Sequence, residues 1–409
     1  MTGADGALRI AVLAHNLRAA GGLSVGRNVI ASLARVADRH EYLLILPENC
    51  GYEAIAKPSH SKSLYIGQLG GGPGRMWFER FTLPRITRDF RPDVVWGLGN
   101  FALRRPGCKQ AILLHKPHYI YGPEDQRCEL WRYSALNELG RRRLRRCLPY
   151  TQLVFCQTRT ACDRFRATYS YSGRTAIMPN AVSKLSLTGD ARQSPEVFDR
   201  LRGKYVLFCL TKYYAHKNLE ALADVFVQHG DVLRDVSILL TIEAGQHPRA
   251  GRLIARLEEP RLRESLINVG PIDQSELAGY YGRCDGLILP TLLESFSGTY
   301  LEAMQFKKPI LTSDRDFARD VCGPAALYFD PCNPASIRDA ILALKNSPET
   351  RDRLVLEGTR RMQSFFRDWD SIVADAVREL ENLVRGEACS ISDGPGPQAS
   401  GVMKSRATA

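Results

Sequence analysis

The sequence of 409 residues lacks the long apolar segments that membrane-spanning proteins carry. No stretch approaches the roughly 18 consecutive apolar residues that a membrane-spanning helix needs. The N-terminal residues, 1–8, also lack the basic segment followed by an apolar segment that marks a secretory signal peptide. These two absences predict a cytoplasmic protein.

Patterns of metal-binding cysteines are absent as well. The eleven cysteines form no C-x2-C pair, and the nearest two, Cys156 and Cys162, do not have the spacing of zinc ligands. Most cysteines lie in apolar runs, where a reduced thiol behaves as a small buried apolar group. We therefore expect mostly reduced, buried cysteines and no metal site built from them.

Positive charge is in excess, and it lies in the first half of the chain. The formal net charge is +12 at pH 7. Residues 1–182 contain 27 Lys and Arg against 13 Asp and Glu, a balance of +14, whereas residues 183–409 contain 29 against 31, a balance of −2. Such a basic first half fits an anionic membrane surface, a phosphorylated acceptor or nucleic acid as a partner.

Short apolar runs alternate with helical patterns along most of the chain. The length leaves room for two domains, and this alternation predicts an α/β protein with mostly parallel, doubly wound sheets. Ligands of such sheets bind at the carboxyl ends of the strands. The predicted strands are 8–14, 42–46, 64–66, 94–96, 111–114, 153–156 and 176–178 in the first half, and 205–210, 286–289, 309–313 and 326–329 in the second.

The stretch 285–306 has the pattern of a strand, a small polar loop and a helix. An apolar run, 286–289, ends at Pro290. A helical pattern begins at Thr299, which has the spacing of a capping box with Glu302. A loop of small residues that runs into a helix leaves backbone N–H groups unpaired beside the positive end of the helix dipole. This stretch therefore predicts a phosphate-binding site.

Two carboxylates, Glu294 and Glu302, lie in this stretch with seven residues between them. From the residues alone, Glu302 is equally well an ordinary capping residue and Glu294 a solvated loop charge. The E-x7-E spacing resembles the signature of the family 4 retaining nucleotide-sugar glycosyltransferases, which have the two-domain GT-B fold. This resemblance implies that Glu294 is a catalytic residue beside the donor sugar and that Glu302 binds the ribose hydroxyls.

Three further segments resemble those with which this family binds the donor diphosphate: a glycine pair after the first strand, two lysines after the strand at 205–210, and the small loop before the helix. The resemblance implies diphosphate-binding roles for Gly22, Lys212, Lys217, Ser297, Gly298 and Thr299. Lys212 stands where the family more often has Arg. A departing nucleoside diphosphate is multiply anionic, so two ammonium groups complement the charge of about one half at a helix start.

A histidine and a later turn complete the resemblance. His115 follows the predicted strand 111–114, where a doubly wound sheet places functional residues. It matches a catalytic-site histidine that the family places near the donor sugar and the acceptor. The segment with Gly270, Pro271 and Ile272 matches one whose backbone lies beside the nucleobase.

The resemblance implies two Rossmann-like domains that face each other across a cleft. Residues 1–182 form an N-terminal domain on the acceptor side, and a final helix, 368–385, crosses back to it. A linker, 183–204, leads to a donor-binding domain, 205–367. The tail, 386–409, is rich in Gly, Ser and Pro, and we expect it to be disordered.

Two basic clusters in the first half predict contact with anionic lipid on the inner face of the cell membrane. They run from Arg75 to Arg88 and from Arg141 to Arg146. Trp77, Phe78 and Phe81 lie among the arginines of the first cluster, and aromatic side chains suit a membrane interface. A solvated helix face is the alternative for both clusters. Nucleic-acid binding is not expected, because no known binding motif accompanies the charge.

The expected function is the retaining transfer of a sugar from a nucleotide-sugar donor to a glycan or lipid-linked acceptor, in bacterial polysaccharide or glycoconjugate synthesis. The family works without a metal or another cofactor, so none is expected. Two alternatives stay open: a nucleotide-sugar epimerase or phosphorylase of the same fold, and a non-catalytic protein that binds lipid or nucleic acid. The sequence does not identify the sugar, the base or the acceptor.

Overall fold

Two parallel sheets organise the protein, as seen in a computed structural model. The structure describes residues 6–122, 125, 135–181, 195–365 and 367–388. Within the predicted linker and tail, residues 183–194 and 389–409 lie outside the described residues. The boundaries of the two domains therefore stay a prediction, and the name "domain" below refers to the elements built on each sheet.

Seven parallel strands form the sheet of the first domain. They are β1 (Arg9–Leu13), β2 (Glu41–Pro47), β3 (Ser61–Ile66), β4 (Val94–Gly97), β5 (Lys109–Leu114), β6 (Leu153–Cys156) and β7 (Arg174–Ile177). Their order is β3-β2-β1-β4-β5-β6-β7. The strand order thus reverses at β1, and the loops after β1 and β4 border a crevice at the carboxyl edge of the sheet.

Six parallel strands form the sheet of the second domain. They are β8 (Tyr205–Cys209), β9 (Val236–Leu240), β10 (Leu266–Asn268), β11 (Gly286–Leu289), β12 (Ile310–Ser313) and β13 (Ala326–Phe329). Their order is β10-β9-β8-β11-β12-β13, which reverses at β8. The predicted fold class, α/β with doubly wound parallel sheets, is confirmed.

Thirteen α-helices within the described ranges flank the two sheets. They are α1 (Ala20–Val36), α2 (Gly71–Trp77), α3 (Leu83–Phe90), α4 (Ala135–Cys147), α5 (Arg159–Tyr169), α6 (Glu220–His229), α7 (Pro248–Leu257), α8 (Leu277–Arg283), α9 (Gly298–Gln305), α10 (Asp316–Cys322), α11 (Pro334–Asn346), α12 (Pro348–Phe365) and α13 (Trp369–Arg385). None of these helices combines the length and the apolar character that crossing a bilayer would require.

Each predicted strand coincides with an observed strand, but β9 and β10 are missing from the prediction. The five residues of β9 are all buried, and they form a short apolar run that periodicity cannot distinguish from a helical segment. β10 has only three residues. Pairing with neighbouring strands decides that both segments are strands: β9 pairs with β8 and β10, and β10 pairs with β9.

The predicted glycine pair after the first strand lies inside α1. The helix begins at Ala20, so Gly21 and Gly22 form its first turn and not a separate turn before it. The backbone N–H of Leu23 donates to the carbonyl of Ala19, which extends the helical hydrogen bonds across both glycines. Glycine is a poor helix former by only about 1 kcal/mol, and packing overrides that preference here.

The first basic cluster buries one of the aromatic residues predicted to enter a membrane. Phe78 packs in a buried cluster with Leu83 and residues of the sheet, whereas Trp77 and Phe81 are exposed. Successive residues of a helix point about 100° apart, so the neighbour of an exposed residue can face the core. The prediction that Phe78 enters a lipid interface is therefore wrong.

Cysteines in the described residues are mostly reduced. Eight are free thiols, and six of these are buried. Cys332 differs, because it is disulfide-bonded, so the expected reduced state holds for most cysteines and not for all. Within the described part of the chain, no three His, Cys, Asp or Glu side chains come together as a group that could hold a metal ion.

Helix α13 packs on the first domain, although it follows the second in the chain. Val373 and Leu380 belong to the same buried cluster as Ile10 of β1 and Trp96 of β4. The helix lies against α1, and an ion pair between Arg35 and Asp370 joins the two at 2.5 Å. The end of the described chain thus covers one face of the first sheet.

Leu380→Ala should destabilise the first domain. The Leu380 side chain is fully buried between α13 and the sheet, so its removal leaves a cavity that costs about 2–5 kcal/mol. Leu356 is half-exposed on α12, and the control Leu356→Ala should cost no more than about 0.5 kcal/mol. Urea denaturation followed by tryptophan fluorescence measures both. Equal midpoints for the two variants would contradict the packing of α13.

Candidate functional site

A cleft of about 870 Å³ lies between the carboxyl edges of the two sheets. The start of α1 and the loops after β5 and β6 line it from the first domain. The loops after β8, β9 and β11, together with the start of α9, line it from the second domain. The location follows from the topology, because loops after the strands where the order reverses border the crevice of a doubly wound sheet.

Eleven of the twelve predicted site residues line this cleft. They are Gly22, His115, Lys212, Lys217, Pro271, Ile272, Glu294, Ser297, Gly298, Thr299 and Glu302. Gly270 does not line the cleft. It directly precedes Pro271 and has a φ of 78°, a left-handed conformation that glycine adopts without strain. The structure thus brings these residues together, while their chemical roles stay predictions.

Lys217 and Glu294 form a largely buried ion pair in the lining of the cleft. The two side chains are only 14% and 11% exposed. Asn218, with a φ of 55°, turns the chain just after the lysine. Its side-chain amide donates hydrogen bonds to the carbonyls of Pro290, at 3.2 Å, and Pro331, at 2.8 Å. Asn218 therefore fastens the turn that carries the lysine to the loop that carries the glutamate.

Two more hydrogen bonds connect the same turn and loop. The backbone N–H of Leu292, at 2.8 Å, and the hydroxyl of Thr291, at 3.2 Å, both donate to the carbonyl of His216. His216 directly precedes Lys217, and Thr291 lies three positions before Glu294. Because these bonds join the turn to the loop without using the two charged groups, the spacing of the ion pair is set by the fold and not only by the two charges.

Helix α9 starts at the cleft without a side-chain cap. Its first residue is Gly298, with Ser297 at the N-cap, and no side chain in the described residues bonds to the free N–H groups of this helix start. The capping box predicted for Thr299 and Glu302 is therefore wrong, because the N-cap is Ser297, two residues before Thr299, and Glu302 lines the cleft instead. Uncapped N–H groups at the positive end of a helix dipole favour an anion.

Glu302 has an unusual protonation state for a carboxylate that lines a cleft. Its burial raises its pKa to about 7. The charged form is costly because the side chain has lost water. Hydrogen-bond donors from a ligand, such as two hydroxyl groups, would stabilise the ionised form of this carboxylate.

Predicted site residue His115 is neutral and firmly placed. Its backbone N–H and that of Lys116 donate to the side-chain oxygen of Asn100, at 2.6 and 2.8 Å. Burial lowers the pKa of His115 to about 4, so the imidazole carries no charge at neutral pH. A Cβ atom at Gly22 would lie 3.3 Å from a methyl carbon of Leu17 and 3.5 Å from the imidazole ring. Glycine thus allows α1 to approach the histidine closely.

Ser295 connects the two domains at the cleft. Its hydroxyl lies 2.7 Å from the carbonyl of His115 and 2.8 Å from the side-chain oxygen of Gln157. Gln157 in turn donates to the side chain of Asn180 at 2.7 Å. Gln157 and Asn180 line the cleft, and the prediction missed them. Both follow strands, β6 and β7, so the rule that placed His115 could have found them.

Another contact between the domains lies at the start of α10. The carboxylate of Asp316 accepts hydrogen bonds from Arg164 at 2.5 Å and from the hydroxyl of Tyr121 at 2.9 Å. The backbone N–H of Thr160 donates to Asp320 at 2.7 Å. The two carboxylates of α10 are thus fastened to the first domain beside the cleft.

Family models match both halves of the chain. The model described as Glycosyltransferase Family 4 matches residues 25–184, and the model described as Glycosyl transferases group 1 matches residues 191–361. The alpha-monoglucosyldiacylglycerol synthase of Streptococcus pneumoniae is 26% identical over 151 residues, which are 36% of this chain and 34% of that protein. The chain matches between about a third and a half of the length of its curated relatives.

Solved structures resemble the whole described fold. Sucrose-phosphate synthase from Thermosynechococcus elongatus has a TM-score of 0.70 at 17% identity, over 93% of this chain and 100% of that chain. The HepE protein of Anabaena, in complex with UDP and glucose, has a TM-score of 0.67 at 14% identity, over 92% of this chain and 100% of that chain. At these identities the likeness shows the fold alone.

Glu302→Gln should change how stability depends on pH. In the unfolded chain this carboxyl ionises near pH 4.5, whereas in the folded protein it keeps its proton up to about pH 7. Unfolding between these pH values therefore releases a proton, and Glu302 lowers the stability progressively as the pH rises from 4.5 to 7. The variant lacks this loss.

Thermal unfolding of both proteins at a series of pH values measures the effect. The difference in Tm between Glu302→Gln and the original protein should grow from pH 4.5 to pH 7 in favour of the variant. Other titrating groups affect both proteins alike, so they cancel in the difference. A difference that does not change with pH would contradict the raised pKa.

Proposed function

Because the chain belongs to the group 1 glycosyltransferases and has the GT-B fold, we propose that it transfers a sugar from a nucleotide-sugar donor to an acceptor with retention of the anomeric configuration. One observation carries this proposal: a single cleft joins two lysines, an uncapped helix start and two carboxylates. The HepE structure of the same fold contains UDP and glucose, which supports a nucleoside diphosphate as the group that the cleft binds.

The donor diphosphate is proposed to bind Lys212, Lys217 and the N–H groups at the start of α9. Two ammonium groups and a helix dipole offer about two and a half positive charges. These groups would offset the charge that grows on the diphosphate as the sugar leaves. We propose that they do so without a metal ion or another cofactor.

Lys217 already has a partner in the structure, and this pairing suggests how the donor is recognised. Its ammonium group pairs with Glu294. Diphosphate oxygens would compete for that ammonium group, and the carboxylate of Glu294 would then accept hydrogen bonds from the sugar hydroxyls. Since a buried carboxylate without a partner is costly, a diphosphate that lacks a sugar satisfies the site less well than the complete donor.

Glu302 is proposed to bind the ribose, and Pro271 and Ile272, after Gly270, to lie beside the base. A carboxylate accepts hydrogen bonds from two neighbouring hydroxyl groups, which matches the 2′ and 3′ hydroxyls of a ribose. The burial that raises the pKa of Glu302 also makes two such bonds strong. Fixing the ribose in this way positions the anomeric carbon relative to Glu294.

Transfer is proposed to occur on one face of the donor sugar. The acceptor hydroxyl oxygen forms a bond to the anomeric carbon while the bond from that carbon to the diphosphate oxygen breaks. The electron pair of the broken bond stays on the diphosphate, and the hydroxyl proton passes to a phosphate oxygen. Attack on the face that the diphosphate leaves retains the configuration. Glu294 and the neutral His115 orient the sugar, and the carboxylate stabilises positive charge at the anomeric carbon.

The acceptor is proposed to be a glycan or a lipid-linked saccharide of bacterial polysaccharide or glycoconjugate synthesis, used at the inner face of the cell membrane. The name of the S. pneumoniae relative, a diacylglycerol-lipid synthase, supports a lipid acceptor. Trp77 and Phe81 support membrane contact, because their rings lie 5.9 Å apart and are 62% and 47% exposed. Arg75 and Arg80 flank them, and arginine attracts anionic lipid.

Replacing either partner of the buried pair should abolish most of the transfer. Lys217→Ala and Glu294→Gln should each lower the rate by about 10²–10³-fold, the usual loss for a charged transition-state contact. Lys345 is a matched control, because it is also ion-paired in the second domain, with Asp235, and does not line the cleft. Lys345→Ala should keep the original rate.

The assay first identifies the base by thermal shift with a panel of nucleoside diphosphates, since a ligand of the folded state raises Tm. Release of that diphosphate from its sugar nucleotides is then measured with and without acceptor. Unchanged rates in Lys217→Ala or Glu294→Gln would contradict the proposed role of that residue. An isomerised sugar from donor alone would favour an epimerase over a transferase.

Membrane contact should depend on the exposed aromatic pair. The double variant Trp77→Ser/Phe81→Ser should bind vesicles that contain phosphatidylglycerol about tenfold or more weakly, since a buried aromatic side chain contributes about 1.5–3 kcal/mol. Val232 is exposed to a similar extent in the second domain, and Val232→Ser should bind as the original protein does. Sedimentation with vesicles measures both. Equal binding of all three proteins would contradict this contact.

A further inference from the structure

A second cavity, of about 510 Å³, lies in the first domain beside the cleft. The loops after β1, β4 and β5 line one side of it, and α2 and α4 line the other. Gly22 and His115 line both the cavity and the cleft, so the two spaces meet at the histidine. A molecule in this cavity therefore extends to the part of the cleft where the proposed transfer takes place.

The charge of the cavity lining is one-sided. Among the described residues it includes Arg18, Arg75, Lys116 and Arg143 and no Asp or Glu side chain; we call this space the basic cavity. Within the described residues neither Arg18 nor Lys116 forms an ion pair. Arg18 donates to the carbonyls of residues 66 and 67, and the ammonium group of Lys116 lies 5.0 Å from the ring centre of Tyr119.

One buried carboxylate behind the lining orients the other two cations. Glu79 has a side chain with no exposure, and it lies 2.8 Å from Arg75, 2.5 Å from Arg143 and 3.0 Å from His15. Burial alone would raise the pKa of Glu79, but the hydrogen bond with His15 and the charges of both arginines outweigh it and lower the pKa to about 2. Glu79 is therefore ionised, and it holds both guanidinium groups at the lining.

These arginines retain donors for a ligand. A guanidinium group has five N–H donors. The contact of Arg75 with Glu79 uses its Nε, and the contact of Arg143 uses one terminal nitrogen. Guanidinium groups that are held in place bind phosphate in a bidentate manner with little loss of freedom.

The balance of charge favours a phosphate group over a single carboxylate. Four cations line the basic cavity, and Glu79 offsets only one of them. A phosphate monoester carries a charge of about −1.5 to −2 at pH 7, whereas a carboxylate carries −1. Crowding of like charges also has a visible effect, since burial lowers the pKa of Lys116 and the charge of Arg75 lowers it further.

We propose that the basic cavity binds a phosphate or pyrophosphate group of the acceptor and so places the acceptor saccharide against His115. This assignment rests on the proposed transferase function, which it extends by naming the chemical class of the acceptor. Two sources of the phosphate ester share this chemistry: a lipid headgroup and a soluble sugar phosphate. Met76 and Leu139, which are exposed at the lining, favour the lipid source because they offer an apolar rim.

Titration calorimetry on the full chain, saturated with UDP to occupy the cleft, tests the proposal. The probes are farnesyl diphosphate for a lipid source, glucose 1-phosphate for a soluble source and octyl glucoside as a neutral control. At least one phosphate probe should bind to the UDP-saturated protein. Lys116→Gln should weaken that binding by about tenfold or more, which is the effect of losing one charge-assisted hydrogen bond. UDP affinity should not change.

Lys116→Gln leaves the contacts of Glu79 intact, so it separates binding from folding better than an arginine variant does. Arg143→Gln serves as a second variant and should weaken the phosphate probes in the same way. Lys62 is an exposed lysine of the first domain outside the basic cavity, and Lys62→Gln should bind every probe as the original protein does.

The possible outcomes separate the two proposals. Binding of farnesyl diphosphate alone identifies a lipid source, and binding of glucose 1-phosphate alone identifies a soluble one. If neither phosphate probe binds to the UDP-saturated protein, or if both cavity variants bind the probes unchanged, the basic cavity is not a phosphate site. If UDP does not bind, the nucleoside diphosphate that the thermal-shift panel identifies replaces it. Absence of binding by every member of that panel would instead overturn the proposed function, and the phosphate probes with the same variants would still decide the role of the cavity.

Discussion

The buried ion pair between Lys217 and Glu294 is the interaction on which the cleft depends. Two charges with little access to water are stable only while they face each other. Asn218 and the carbonyl of His216 fasten the turn of one to the loop of the other. A ligand that separates the pair must therefore supply both an anion for the lysine and hydroxyl groups for the glutamate. The proposed donor, a sugar bound to a diphosphate, has both.

Positive charge lies on two sides of the cleft, and the neutral His115 lies between them. The second domain presents two lysines and a helix start, and the first domain presents the four cations of the basic cavity. His115 lies between them without charge, because burial lowers its pKa to about 4. A neutral imidazole there can form hydrogen bonds to hydroxyl groups without attracting an anion. Repulsion between the two proposed anions would be reduced because each would have its own cations.

Most of the fold and much of the site follow from local sequence patterns. Strands of parallel sheets are buried on both faces, so they appear as apolar runs, and residues just after them reach the site. That rule placed His115 at the cleft, and the resemblance to the family placed Lys212 and Glu294 there; all three line it. The rule could not identify Gln157 and Asn180 as linked across β6 and β7, since their hydrogen bond depends on strand order. Neither could it show that Glu302 lacks a capping role, because a shift of two residues in the N-cap, from Thr299 to Ser297, decides that.

By itself, the sequence determined the fold class, the family and eleven of the residues that meet in the cleft, because each depends on spacings of a few positions along the chain. Only the tertiary structure decided which charges are paired. Glu79 pairs with Arg75 of α2, which is near it in the sequence, and with Arg143 of α4, which is more than sixty positions away. The two basic clusters look alike in the sequence, but packing gives their residues different environments. Phe78 is buried, Arg75 and Arg143 pair with the buried Glu79, and Trp77 is exposed. Burial and pairing are properties of contacts between distant segments, and no local pattern encodes them.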